Sequence, residues 1–245
     1  MAATPAWPPR STPRLFVDEE LREGPRRIEG PPAHYLLSVM RLREGDPVLL
    51  FDDRTGEWLA ALTEAGRKRA TLTVGQRLRP RETVPDLHLL FAPIKRGRVD
   101  WLVEKATELG VAELRPVITE RTEVRSLNLD RLRAHAVEAA EQCERTALPA
   151  LAEPLPLPRL LRDWPAGRAL LFADERGGAH PREAAAPAPA VILIGPEGGF
   201  TDGERAAILA VPQARALSLG PRILRADTAA LAAVSAWMAA HGDWG

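Results

Sequence analysis

From Leu87 onward the chain alternates short apolar runs with segments of helical periodicity, a pattern few folds accept. LHLLFAP (87–93), AELRPVIT (112–119), ALLFAD (169–174) and VILIG (191–195) read as strands. ALLFAD and VILIG lack polar alternation, as expected of parallel strands covered on both faces. Between the first two strands, Val99, Leu102, Val103, Ala106 and Leu109 share one helical face, and Gly110 closes it. Residues 128–145 are expected to form a second helix, with Leu129, Leu132, Ala136, Ala139 and Cys143 facing one way. Thr201 and Glu204 have the spacing of a capping box opening a short helix. ARALSLG (214–220) ends in a loop, and a last helix is expected over 227–241, with Leu231, Val234 and Met238 inward. The Ala/Pro/Gly-rich stretch 177–190 reads as a loop. Strands alternating with helices predict an α/β domain built on a mostly parallel sheet.

The first 80 residues differ. Short alternating runs at 15–17, 48–51, 58–62 and 70–74, divided by Gly, Asp and Arg clusters, predict a β-rich domain with one helix over 32–40. RLRPRETVPD (77–86) carries two prolines and no apolar period, so the sequence predicts a β domain over 1–76, a linker over 77–86 and an α/β domain over 87–245.

Composition narrows the chemistry. The 33 basic and 33 acidic residues cancel, so any polyanionic partner has to be read from local patches. A single cysteine, Cys143, excludes a disulfide framework and a cysteine-based zinc site, and the five histidines show no metal-ligand spacing. The sequence contains no G-x-G-x-x-G after a strand, no P-loop, no H-E-x-x-H and no G-x-S-x-G. The longest apolar stretch is too short to span a bilayer and the first residues carry no apolar signal core, so the sequence is read as soluble and cytoplasmic, without membrane or metal.

What remains are loops at strand ends, where open α/β sheets bind ligands. Ile194 to Thr201 (IGPEGGFT) lies between a buried strand and a capped helix, and Gly198 and Gly199 let a ligand approach the backbone. A tight strand–helix turn would need the same glycines. LSLGPRILRADTA (217–229) mixes Ile223 and Leu224 with two arginines, as the wall of a pocket for a flat apolar group does, or as a loop anchored to the core does. APIKRGR (92–98) ends a third strand. Between Arg67 and Arg98, nine basic residues face two acidic ones, a local excess of +7 with the density of a phosphate-binding surface or of a solvated linker.

HYLLSVMRLREGD (34–46), KRGRVDWLVEKATELGV (95–111), EQCERTALP (141–149), GPEGGFTDGE (195–204) and LGPRILRADTA (219–229), in that order, closely resemble the ribosomal RNA small subunit methyltransferase E family, over about residues 14–240. The family belongs to the SPOUT class of S-adenosylmethionine-dependent RNA methyltransferases. The resemblance implies an N-terminal PUA-like β-barrel for RNA and a C-terminal α/β domain with a trefoil knot and a mostly parallel sheet. It implies a homodimer, 16S ribosomal RNA or the small subunit as partner, and methylation at N3 of one uridine near the decoding centre. Leu171, Phe172, Ile194, Gly195, Pro196, Gly198, Gly199, Leu219, Gly220, Ile223, Leu224, Arg225 and Thr228 are then expected to hold S-adenosylmethionine. Arg14, His34, Arg41, Arg77, Arg79, Arg81, Lys95 and Arg96 are expected to meet RNA. One departure stands out: the family's last motif usually reads R-I-L-R-T-E-T-A, and here Ala226 and Asp227 replace Thr and Glu.

Uridine N3 normally bears a proton, so a base or a cation has to favour its loss. Arg225, Arg96 and Arg145 are the candidate anion stabilisers and Glu197 the candidate base. Methylation at C5 would need an attacking thiolate, for which Cys143 on an apolar helix face is unsuited. Two alternatives remain at this stage: a catalytically inactive RNA-binding assembly factor, and a SPOUT enzyme acting on transfer RNA or on ribose.

Overall fold

The computed structural model describes residues 12–124, 126–184 and 186–244, the side chains of Arg96, Arg182 and Ala184 excepted. Two units divide the chain. The first takes residues up to Thr83 together with Ala140–Ala147, and the second takes Val84–Ala139 and Leu148–Gly245.

In the first unit, β1 (Arg14–Phe16), β2 (Gly24–Glu29), β3 (Pro47–Phe51), β4 (Glu57–Ala65) and β5 (Arg69–Arg79) form one sheet in the order β1-β3-β4-β5-β2. β1 runs parallel to β3 and the other neighbours are antiparallel. Alternation puts Val48, Leu50, Ala60, Leu62, Ala70, Leu72 and Val74 on the inner face. Helix α1 (Gly30–His34) and the π-helical turn that continues it, Tyr35–Val39, close that core with Ala33 and Leu36. Strand β2 has no counterpart in the sequence reading, because GPRRIE at a sheet edge buries only Ile28. The expected linker is shorter than 77–86: Arg77 and Arg79 still pair with β4, and residues through Thr83 belong to this unit.

The unit is held shut by a buried carboxylate. Glu57 Oε1 accepts from Arg14 Nε at 2.5 Å and Oε2 from Arg79 Nε at 2.9 Å. Arg14 also donates to the carbonyls of Ala140 (2.5 Å) and Arg145 (2.8 Å) and lies 3.9 Å over the Phe51 ring. Arg79 reaches the Glu144 carbonyl. Glu82 Oε1 accepts the N–H groups of Thr146 (2.8 Å) and Ala147 (2.9 Å), and its own N–H donates to Thr146 Oγ1 at 2.9 Å. These bonds fasten 140–147 to the sheet.

In the second unit, β6 (Leu87–Phe91), β7 (Glu113–Ile118), β8 (Ala150–Leu151), β10 (Ala169–Ala173), β11 (Ala190–Ile194) and β12 (Ala214–Leu217) make a parallel sheet ordered β12-β10-β11-β6-β7-β8, and β9 (Leu155–Pro156) pairs with β7. Helix α2 (Arg96–Glu108), α3 (Leu129–Gln142), α4 (Leu157–Arg162), α5 (Pro181–Ala184), α6 (Asp202–Leu209) and α7 (Ala226–His241) complete it. The apolar runs are sorted by their period of two: Leu87, Leu89, Phe91, Ile192 and Ile194 pack with α2, α3 and α7, while Leu90, Val191, Leu193 and Phe172 pack with α4 and α6. That is why those runs are continuous. Three local expectations change. α3 ends at Gln142, which leaves Cys143 exposed beyond the helix rather than on its apolar face. Residues 181–184, read as loop, form α5. Trp237, which the resemblance to a homodimeric class offers as an anchor for a contact between subunits along the last helix, is 2% exposed and donates to the Ala186 carbonyl at 2.8 Å, so it belongs to its own core.

Burial pushes the Glu57 carboxyl up, but the hydrogen bonds and charges of Arg79 and Arg14 outweigh burial and hold it below its ordinary value near 4.5. Its stabilising effect is therefore complete above that value and is lost as pH falls through the lowered one. Glu57→Gln is expected to cost about 3 kcal/mol at pH 7, because it leaves two guanidiniums without their carboxylate. Urea unfolding at pH 7 and at pH 3 checks this, and the gap to the parent protein should narrow at the lower pH.

Candidate functional site

Three loops at the carboxyl ends of β10, β11 and β12 enclose a cavity of about 310 Å³ within the second unit. That lies in the usual range for small-ligand pockets, about 300–1,000 Å³.

The first loop is pinned before it turns. Asp174, nearly buried, donates its N–H to the Leu217 carbonyl at 3.2 Å. Its Oδ2 accepts from Arg205 Nε of α6 at 2.7 Å and its Oδ1 from the Arg176 N–H at 3.0 Å. Further on, the Ala179 N–H donates to the Ala216 carbonyl and the Ser218 N–H to the Ala179 carbonyl, both at 3.0 Å. A Cβ on Gly178 would stand 2.5 Å from the Ala216 backbone, so only glycine fits where this loop crosses β12.

The second loop turns on Gly199, whose N–H donates to the Pro196 carbonyl at 2.9 Å and whose φ is +66°. Both bonds of the expected capping box are present at Thr201 and Glu204, and Glu204 Oε1 also accepts the Glu120 N–H at 2.8 Å. Phe200 packs edge-on to Phe172 with centroids 6.3 Å apart, which fixes the loop to the sheet. In the third loop, none of the N–H groups of Leu219, Gly220, Arg222, Ile223 and Leu224 makes a backbone hydrogen bond among the described residues. Leu224 packs on the core while Ile223 is 88% exposed at the rim. Arg225 is the N-cap of α7, without a side-chain capping bond. Two residues on, the buried Asp227 accepts from Arg98 Nη1 of α2 at 2.6 Å. The shortened carboxylate is thus used to tie α7 to α2.

Of the residues expected to hold the cofactor, Ile194, Gly195, Pro196, Gly199, Leu219, Gly220, Ile223 and Leu224 line the cavity, and so does Glu197. Leu171 and Phe172 do not, because they are core residues behind it. Gly198 is turned away as well: a Cβ there would meet the Arg121 side chain at 3.3 Å, and Arg121 Nη1 donates to the Gly198 carbonyl at 2.5 Å. Arg225 and Thr228 are exposed and outside the wall. Arg96 opens α2, and its side chain lies outside the described residues. Arg145 belongs to the first unit and is 5% exposed, and burial presses its pKa below the ordinary arginine value. The sequence reading missed the wall residues Asp174, Glu175, Arg176, Arg205, Ala226 and Ala229. The signal for the first three was DERGG (174–178), charges and two glycines directly after a strand.

The expected RNA contacts also separate. Arg14 and Arg79 are tied to Glu57, and Arg81 donates to Asp53 Oδ1 at 3.0 Å, so their charges serve the first unit itself. His34, Arg41 and Arg77 are exposed on that unit, and Lys95 is exposed at the start of α2. No helix among the described residues is long and apolar enough to cross a membrane, and no group of three metal-ligating side chains occurs among them.

Known proteins share this arrangement. The profile of the RNA methyltransferase domain matches residues 80–238, and that of the RNA methyltransferase PUA domain matches 28–75. Ribosomal RNA small subunit methyltransferase E of Rickettsia conorii is 30% identical over 91% of this chain and 93% of its own. The protein of that name from Synechocystis is 35% identical over 91% of this chain and 76% of its own. Two solved structures superpose with a TM-score of 0.86: a Legionella pneumophila methyltransferase in complex with S-adenosylmethionine (29% identity, 95% of this chain, 99% of that one), and the Neisseria gonorrhoeae small subunit methyltransferase E bound to S-adenosyl methionine (27%, 96% and 100%). The architecture is accordingly a knotted SPOUT α/β domain with an N-terminal PUA-like β-barrel. A matching domain profile across most of the second unit and a relative aligned over 91% of this chain and 93% of its own lead to one conclusion: the chain belongs to the ribosomal RNA small subunit methyltransferase E family of RNA methyltransferases.

Proposed function

We propose that this protein transfers a methyl group from S-adenosylmethionine to N3 of one uridine of 16S ribosomal RNA, near the decoding centre. The observation that carries the reading is the three-loop cavity, whose counterpart structures bear the cofactor in complex. The residues fit that group. Ile194, Leu217, Leu219 and Leu224 give an apolar wall for the adenine. The N–H groups of Leu219, Gly220, Arg222, Ile223 and Leu224, unused by the backbone, suit its ring nitrogens. Ala173, Ala226 and Ala229 leave room beside it.

When bound, the cofactor supplies an electrophilic methyl carbon on a sulfonium sulfur. The uridine N3 proton leaves, the N3 lone pair takes the methyl carbon and the carbon–sulfur bond breaks. Arg225, exposed between the wall residues Leu224 and Ala226, stabilises the charge that builds on the uracil ring, and Glu197 in the cavity wall accepts the proton directly or through water. Arg225→Ala should lower turnover about 100-fold while leaving cofactor affinity within about twofold, because the charge it meets appears in the transition state. The rate should rise with pH until the assisting group or the uridine has lost its proton. Nucleoside mass spectrometry of methylated 16S RNA decides the product: 3-methyluridine is expected, and a methyl retained on ribose would overturn the assignment.

The glycines give a second test. Gly199→Ala forces a side chain into a left-handed backbone and towards the Glu175 carboxylate, 3.0 Å from its Cβ. Gly198→Ala meets only the flexible Arg121 side chain at 3.3 Å. Calorimetry should therefore find cofactor affinity reduced at least about tenfold by the first change and little altered by the second.

The protein acts as a homodimer in this reading. Thr228, Ala232, Ser235 and Ala239 form a stripe of small residues along α7, exposed or half-buried, on which a second helix can approach closely. Light scattering is expected to give a dimer mass, and Ala232→Glu a monomer.

A further inference from the structure

The cavity wall carries three carboxylates besides three arginines, and three of these six groups are held in ion pairs. Asp174 holds Arg205 at 2.7 Å. Arg176 is paired with Asp202. Among the described residues no ion pair involves Glu175, Glu197 or Arg222. What the cavity offers a ligand is therefore one net negative charge.

Glu175 is the better placed of the two carboxylates. It follows Asp174, whose hydrogen bonds to Leu217, Arg176, Gly177 and Arg205 fix the start of the loop. From there its side chain spans to the second loop, where its Oε1 lies 3.0 Å from the position of a Cβ on Gly199. The second glycine of that loop thus does two things: it supplies the left-handed turn and it leaves the space this carboxylate uses. Glu197, by contrast, sits on the turn itself, two residues before Gly199.

The methyl donor and its demethylated product differ mainly in charge. S-adenosylmethionine carries a sulfonium, an ammonium and a carboxylate, hence one net positive charge, and S-adenosylhomocysteine carries none. On the reading of this cavity as the donor site, we propose that Glu175 is the residue that selects by charge: its carboxylate, which is in no ion pair among the described residues, attracts the cationic donor more than the neutral product and so favours their exchange after each turnover. It is a positioning residue and exchanges no proton.

Calorimetry with both ligands, on the full-length protein, tests this. Glu175→Gln should weaken S-adenosylmethionine about tenfold and S-adenosylhomocysteine by less than about twofold, as expected for one charge pair partly screened by water. Raising salt to 1 M should shrink the difference between parent and variant. Glu175→Asp should restore part of the preference, and Glu175→Lys should reverse it in favour of the product. Circular dichroism checks that each variant is folded. Equal losses for both ligands, or no loss for either, would overturn the proposal while leaving the donor reading intact. A parent protein that binds neither ligand would overturn the donor reading and the proposal with it.

Discussion

The site depends on one close approach of main chain to main chain. Where the loop after β10 crosses the end of β12, Ala179 bonds to the Ala216 carbonyl and the Ser218 N–H bonds back to Ala179. Gly178 has no room for a Cβ there. This crossing sets the first loop against the third, and the Asp174–Arg205 pair sets it against the helix that follows the second. Three loops that are far apart in sequence therefore share one wall. The contact is between backbones, which side-chain rearrangement cannot relieve.

The two units use charge in opposite ways. In the first, the buried Glu57 carboxylate is saturated by Arg14 and Arg79, whose hydrogen bonds and charges together outweigh the desolvation that pushes its pKa up. In the cavity of the second, two of the carboxylates are left over after Arg176 and Arg205 have found partners. A saturated pair gives a fixed structure, whereas an unsaturated carboxylate facing a cavity favours an incoming cation.

The parallel sheet was legible because its strands are apolar on both faces: VILIG and ALLFA can only be buried, and their alternate residues do go to different layers. The second and third loops were legible from strand-end position and glycine, and most of their expected wall residues lie in the cavity. A glycine in a turn does not reveal which way its missing side chain would point, and at Gly198 that direction is towards Arg121. The basic run 67–98 read as one surface, yet Arg79 and Arg81 are bound to Glu57 and Asp53, partners twenty or more residues away that no local pattern announces. The edge strand β2 was invisible because its charged, outward side chains erase the period. The ending of α3 before Cys143 follows from bonds between 140–147 and the first sheet, which are again non-local.

Those bonds also bear on the order in which the protein can be made. A chain growing from its N-terminus has all five strands of the first sheet by Arg79, but the carbonyls that receive Arg14 and the amides that receive Glu82 lie at 140–147. Translation delivers them only after β6, α2, β7 and most of α3 have emerged. Until then the first sheet has a guanidinium and a carboxylate with no main chain to meet. Maturation of the first unit is thereby timed by the synthesis of the second, and the first unit cannot be exchanged between relatives as one uninterrupted stretch of gene.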